Sequence, residues 1–273
     1  MFRSETRKSH SRTAWALLEL IFHAAVRNVR KTHGNAIIGL LLNIFQTVLM
    51  VGVFYMMSEL MGMRGNAARG DFILYLLSGV FMFMTHTKTL GAVSGAEGPT
   101  SPMMKHSPMN PIISIAAAAL SALYIQVLSG GVVLFVYHAA ITPITINEPG
   151  GVLAMMLLSW AAGIGIGMIF LSARPWWPEG IGLMSTIYQR ANMIASGKMF
   201  LANAMPTSIL KMFDWNPLFH TIDQTRGFTF LNYHPHYSNI EYPIKVTLVC
   251  LMIGLMGEFY TRKFASASWS AGK

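Results

Sequence analysis

Charged residues vanish from long stretches of this chain, and their return marks the ends of candidate helices. No charged residue occurs between Asn35 and Ser58, enough for one membrane-spanning helix, since roughly 20 mainly apolar residues cross the hydrocarbon. Phe72 to His86 is apolar but short, with Lys88 placed to snorkel at its end. Between His106 and Asn147 there is no Asp, Glu, Lys or Arg. Pro111 and Pro143 bracket one long helix there, and Gly130-Gly131 is a candidate kink. Pro149 to Ala173 is a fourth apolar run, and Ile181 to Gly197 a weaker fifth that contains Arg190. Ile244 to Tyr260 is the last, bounded by Lys245 and Glu258.

Counting six spans satisfies the rule that basic residues collect on the cytoplasmic side. With a cytoplasmic N-terminus, thirteen Lys/Arg fall inside and six outside, and dropping the fifth span moves Arg262 and Lys263 to the wrong side. The expected organisation is therefore a cytoplasmic arm and interfacial helix over residues 1–34, a six-span domain over 35–260 and a cytoplasmic tail over 261–273. Within the arm, Thr13 to Lys31 reads as an amphipathic helix. Trp15, Leu18, Phe22, Ala25, Val26 and Val29 share one face, and Glu19, His23, Arg27 and Arg30 the other. Such a basic, one-sided helix suits the membrane interface, although packing on a partner produces the same stripe. Glu19 and His23 interrupt the apolar core that a signal peptide needs.

Composition agrees with the pattern. Hydrophobic residues make up 53%, charged residues 11%, and mean hydropathy is +0.46, whereas soluble domains are about a quarter charged. The net charge of +9 does not point to nucleic acid, because the basic residues sit beside the spans rather than along one soluble face. Cys250 is the sole cysteine, so no intrachain disulfide forms.

Candidate chemistry concentrates late in the chain. An arginine at a helix centre costs about 2.5–3.5 kcal/mol on insertion scales, more than the fifth segment can return with Ser185, Thr186, Gln189, Asn192 and Ser196 in it. Arg190 is therefore expected to face a protein interior or a watery path; pairing with a carbonyl or snorkelling is the alternative. Next, "KMFLANAMPTSILKMFDWNP" contains two apolar pieces, Met199–Met205 and Ile209–Phe213, each too short to span and separated by Pro206. The pair predicts a re-entrant hairpin, which is tolerated only where protein or water covers its backbone; an interfacial loop is the plainer reading. In "DWNPLFHTIDQTRG", Asn216 is a cap, Pro217 suits the first helical position and Gly227 an end. Asp223 and Arg226 are spaced to pair on one face.

Other segments say less. In "SGAEGPTSPMMKHSPMNP" four prolines leave room for one short turn from Pro102 to Ser107, whose Met103 and Met104 are adaptable contacts for a cytoplasmic partner, or only part of a connecting loop. Gly163-Ile-Gly-Ile-Gly167 predicts a closely packed helix face. There is no phosphate-binding G-x-x-x-x-G-K-[ST] loop and no zinc-ligand spacing, and His234-x-His236 reads as solvated. The spans hold no carboxylate away from their ends, which argues against acid–base catalysis, and His86 and His138 read as interfacial residues near span ends.

From about Arg27 onward the layout resembles the membrane subunits of type-2 ABC exporters, in particular those for capsular polysaccharide and O-antigen. "SGKMFLANAMP...WNPLFHTIDQTRG" is similar to the family's Ser-Gly turn, apolar piece ending in proline, Asn-Pro-Leu, histidine, acidic residue and arginine. "RNVRKTHGNAIIGLLLNIFQ" matches its basic interfacial helix and first span at Gly39 and Gln46, with Leu42 where Trp is usual and Thr47 where Pro is usual. Arg174 follows Ala173 as in the family's loop after span four, with "PWWPE" replacing a more basic run.

The resemblance implies an all-α membrane fold of six helices, an N-terminal interfacial helix and an outer re-entrant gate between helices 5 and 6. It implies a channel at the interface of two copies, with Arg190, Tyr188, Lys198 and Phe200 along the substrate path. Ser196, Gly197, Pro206, Asn216, Pro217, His220, Asp223 and Arg226 belong to the gate and external helix. Met103, Met104, Lys105, His106, Arg27 and Arg30 face two separate ATPase subunits, which carry ATP and Mg while this chain carries no cofactor and no metal and is not itself an enzyme. The implied setting is a bacterial inner membrane with both termini cytoplasmic, an acidic lipid-linked glycan as cargo, membrane lipid around the chain, and periplasmic and outer-membrane export proteins as further partners. A type-2 permease for a lipid, haem or drug shares the fold; a membrane scaffold or a polytopic membrane enzyme are rivals from other classes.

Overall fold

The computed structural model describes residues 10–31, 35–60, 71–98, 111–200 and 202–264. Every regular element among them is a helix, with no strand. In chain order these are α1 (His10–Lys31), α2 (Ala36–Leu60), α3 (Phe72–Ser94), α4 (Pro111–Ala140), α5 (Pro149–Ala173) and α6 (Pro178–Ala195). A 3₁₀ turn (Ala202–Ala204), α7 (Thr207–Leu210), α8 (Pro217–Thr229) and α9 (Glu241–Phe264) complete the series. Five helices, α2, α3, α4, α5 and α9, are long and apolar enough to cross a membrane. The fifth apolar run of the sequence is the helix α6, 18 residues long and carrying Glu179 and Arg190; it is not among those five.

The core forms around α3, whose apolar window is 83% buried, against 22–39% for the other four. Its burial explains a correction: the helix does not stop at His86 but continues to Ser94. The polar run after Met84 stays helical because its hydroxyls bond back one turn, Thr85 to Phe81 O at 2.7 Å and Thr87 to Phe83 O at 2.9 Å. Lys88 does not mark an end either; its Nζ donates to Gln46 Oε1 of α2 at 2.6 Å. His86 is consequently a fully buried mid-helix residue rather than an interfacial one.

Small residues let the neighbours close in. In Gly163-x-Gly165-x-Gly167 alternate glycines serve different partners. A Cβ on Gly163 would lie 2.6 Å from His86 O, and one on Gly167 would lie 2.9 Å from Val93 Cβ, both on α3. A Cβ on Gly165 would lie 3.0 Å from Cys250 Cβ on α9, where Gly254 and Gly257 return the fit. α5 is thus wedged between α3 and α9 at backbone distance, as small residues permit in membranes. In α4 the Gly130-Gly131 pair does not interrupt the helix; Gly130 accommodates the ring of Phe81.

Buried polar groups pin the remaining helices. Asn43 of α2 donates to Gln126 Oε1 at 2.8 Å and to Ser129 Oγ at 2.6 Å on α4. Near the C-terminal end of α4 the Tyr137 hydroxyl donates to Asp71, which also caps α3. His138, expected at the interface, accepts from Ile144 N at 2.8 Å and closes the turn after α4. The helix α1 lies along α4, with Ile21, Ala24 and Ala25 against Ile113 and Ala117. Trp15, Leu18 and Phe22 remain exposed, so the stripe is divided between a protein contact and an open apolar face.

Candidate functional site

The segment between α6 and α9 folds into a turn, a short hairpin and a helix held together by buried polar groups. α6 ends at Ser196, and Gly197 follows at φ +70°, a left-handed conformation for which glycine is suited. The space is closed as well: a Cβ on Gly197 would meet the Phe219 ring at 2.6 Å. The chain then runs back through Lys198, Met199 and Phe200 into the 3₁₀ turn and α7, which starts after Pro206 as its cap. Ala202, Leu210 and Phe219 form a small core beneath the hairpin, with Phe200 and Phe213 in contact at 5.2 Å between ring centroids.

Arg226 of α8 organises this turn. Its Nη1 donates to Gly197 O at 3.1 Å and Phe200 O at 2.8 Å, and its Nη2 donates to Lys198 O at 2.7 Å. One guanidinium therefore donates to three carbonyls of an irregular backbone that makes few hydrogen bonds of its own. The guanidinium stacks on the Tyr75 ring at 4.1 Å and is 1% exposed. Gly79 of α3 makes the approach possible, because a Cβ there would lie 3.0 Å from both Arg226 Nη2 and Lys198 O.

The spacing that suggests an Asp223–Arg226 pair has another use. Asp223 accepts from the Tyr233 hydroxyl and from Ser238 Oγ at 2.6 Å, so it ties down the loop of residues 230–240 while Arg226 ties down the turn. Burial and the Asp223 carboxylate raise the Tyr233 pKa, which keeps that hydroxyl a donor. Gly227 does not end α8, which continues to Thr229. Its missing side chain instead admits Pro235, 2.8 Å from where a Cβ would be.

Asn216 and Pro217 take the expected places. Asn216 Oδ1 accepts from Leu218 N at 3.0 Å, and Pro217 opens the helix. Asn216 Nδ2 also reaches Asn192 Oδ1 at 2.8 Å and Ala195 O at 3.0 Å, so the cap joins α8 to the end of α6. His220 is buried, with Nε2–H donating to Asp214 O at 2.7 Å and Nδ1 accepting from Asn239 N at 3.1 Å. Those partners require the neutral ring, and desolvation lowers its pKa accordingly.

The residues expected along a path separate by exposure. Arg190 is exposed on the surface of α6. Tyr188 is half-buried; its hydroxyl donates to His86 Nε2 at 3.2 Å and its ring faces Phe170 at 6.0 Å. Lys198 is fully buried, with Nζ 3.2 Å from the Phe83 ring centroid and 5.1 Å from that of Phe54. Phe200 is partly buried at the edge of the hairpin. Arg27 and Arg30 are exposed on α1, while Met103, Met104, Lys105 and His106 lie outside the described residues.

Several participants carry no signal in the sequence. Tyr75, Gly79 and Phe83 sit in an apolar run, and only the packing of α3 beneath the turn makes them part of the site. His86 connects three helices, through Ser159 O of α5 at 3.2 Å and Tyr188 of α6; a histidine inside an apolar span is the available clue. No group of three or more His, Cys, Asp or Glu residues suited to a metal occurs among the described residues.

No protein-family model matches the chain. Two curated relatives, both described as the polysialic acid transport protein KpsM of Escherichia coli, are 25% identical to it over 193 residues, covering 68% of this chain and 71% of each relative. They bear out the resemblance to polysaccharide-export membrane subunits drawn from the Ser-Gly turn and Asn-Pro-Leu segment.

Proposed function

We propose that this chain is the channel-forming permease subunit of an ATP-driven type-2 exporter that moves an acidic, lipid-linked polysaccharide across the bacterial inner membrane. Similarity to polysialic acid transport proteins supports the cargo class. The observation that carries the reading is the clasped turn. A break in helical structure directly after α6 is held by one buried arginine through three carbonyls, so it is ordered without being part of any regular element. A segment so held can change position as a unit when the clasp is released, as an outer gate must.

In this reading α6 is a sixth span, residues 35–260 form the transport domain, and both termini are cytoplasmic. Two copies enclose the channel, with α6 and its exposed Arg190 along the path. Two ATPase subunits bind ATP and Mg and dock beneath residues 99–111 and α1, where Arg27 and Arg30 are available. Tyr188 joins α6 to the core through His86, so a movement of α6 reaches α3 and α5. Ser196, Gly197, Pro206, Asn216, Pro217, His220, Asp223 and Arg226 make up the gate and its external helix. Membrane lipid surrounds the pair, and periplasmic and outer-membrane export proteins extend the route.

The test is gentle detergent extraction of the tagged chain from its native membrane, with mass spectrometry of whatever co-purifies. A Walker-motif ATPase in equal amount is the expected result. Its reproducible absence from a preparation in which the chain stays folded leaves the exporter without a source of power and returns the scaffold and enzyme readings.

A further inference from the structure

The Lys198 side chain is fully buried, and its ammonium has no hydrogen-bond partner. Its surroundings are aromatic: Phe83 of α3 at 3.2 Å and Phe54 of α2 at 5.1 Å from the ring centroids. A desolvated cation–π contact stabilises the charge by less than the cost of burying an ion, even after relaxation. The rings offset only part of that cost, and an anion that reaches the group favours its charged form. The backbone of Lys198 is held through its carbonyl by Arg226, so a change of rotamer along the four-carbon stem does not require the turn itself to move.

A cavity lies near the cation, though neither Lys198 nor Phe83 is among its lining residues. It measures about 200 Å³ and is lined by Phe54, Ser58, Leu76, Ile194, Met199 and Phe200. Phe54 is common to both, facing the ammonium and the cavity. The cavity lies between α2, α3, the last turn of α6 and the residues after Gly197, beside the clasp.

We propose that Lys198 is an anion-recognition residue of the gate: its ammonium, parked between Phe83 and Phe54, turns to pair with a carboxylate or phosphate entering this cavity. The inference rests on the reading of the turn as a gate. Two sources share the chemistry, the acidic sugar of a cargo and the headgroup of an anionic lipid.

The test uses the purified chain with its co-purifying subunits in phosphatidylcholine nanodiscs. Oligosialic acid and a neutral dextran oligomer are the soluble probes, and phosphatidylglycerol in the disc is the lipid probe. Lys198→Met keeps the stem over the rings and removes the unpaired charge, so its melting temperature is expected to rise. Its affinity for oligosialic acid is expected to fall at least about tenfold, equivalent to about 1.4 kcal/mol, while Lys198→Arg retains most of it and dextran distinguishes none of the three. A phosphatidylglycerol-dependent rise in the wild-type melting temperature that Lys198→Met lacks, without a glycan effect, supports the site with lipid as its source. Binding of both anionic probes by Lys198→Met at wild-type strength overturns the proposal. Lys198-dependent binding in a chain that co-purifies with no ATPase sinks the exporter reading and leaves the anion site standing.

Discussion

Replacing Arg226 with lysine preserves the charge and removes the fork. The guanidinium donates to three carbonyls, at 3.1, 2.8 and 2.7 Å, and stacks on Tyr75 at 4.1 Å. An ammonium on a shorter reach serves one of these carbonyls and leaves the others buried. Each unsatisfied buried acceptor costs about 1–3 kcal/mol, and the lost stacking about 0.5–2 kcal/mol. Two stranded carbonyls and the lost stacking put the expected destabilisation at about 2.5–8 kcal/mol, towards the lower end because Gly197 O keeps a bond from Phe200 N at 3.4 Å; it is measured by unfolding in mixed detergent–SDS micelles. Amide hydrogen exchange should accelerate most in residues 197–213. Because Asp223 bonds to Tyr233 and Ser238, Asp223→Asn should loosen residues 230–240 instead, and the double-mutant coupling with Arg226→Lys should stay near or below about 0.5 kcal/mol. A coupling of about 2 kcal/mol or more, as expected for a buried pair, would falsify the division of labour between the two residues. An Arg226→Lys variant as stable as wild type would refute the clasp.

Three further outcomes rest on the same geometry. His220 has its pKa held below the ordinary 6.5, so the unfolded chain takes up its proton first; the stability it contributes is fully present above 6.5 and declines as pH falls below that value. Exchange at Asn239 N–H should therefore rise on acidification, and His220→Gln should flatten that response. Gly254→Val places a Cβ where Met168 Cβ is 2.6 Å away and should cost about 1–3 kcal/mol by thermal melting, whereas Gly52→Ala, with nothing within 4 Å, should be neutral or slightly stabilising. Gly197→Ala combines φ +70° with a 2.6 Å approach to Phe219, and it should lower stability by more than the roughly 1–2 kcal/mol of the left-handed conformation alone. A melting temperature within error of wild type would count against the need for glycine at that turn.

Pattern reading locates the apolar helices because their signal is local. Four of the runs, starting at Asn35, Pro111, Pro149 and Ile244, correspond to α2, α4, α5 and α9 within a few residues. The run from Phe72 reads as ending at His86 because a polar stretch at a true span end and one buried in a bundle have the same composition. The difference is burial, and burial of α3 depends on α2, α4, α5 and α8 arriving around it. The break after α6 and the Asn216 cap are legible for the same local reason: proline, glycine and a capping side chain act within a turn of themselves.

The amino-acid sequence by itself determined a membrane chain of apolar helices, an interruption near Gly197, a capped helix from Pro217, and the kinship carried by those residues. Tertiary structure alone decided which groups meet. Asp223 and Arg226 are neighbours on one helix, yet each turns to a different segment, because a buried ionic group is stabilised by whichever acceptors or donors the fold leaves unsatisfied nearest to it. Lys198 follows the end of a helix in sequence, where a surface cation is the ordinary expectation. It lies instead between two rings from α2 and α3, since the turn that carries it is drawn inward by Arg226. Spacing along a chain specifies which residues share a helix face; what that face meets is set by elements far away in sequence, and no local rule contains it.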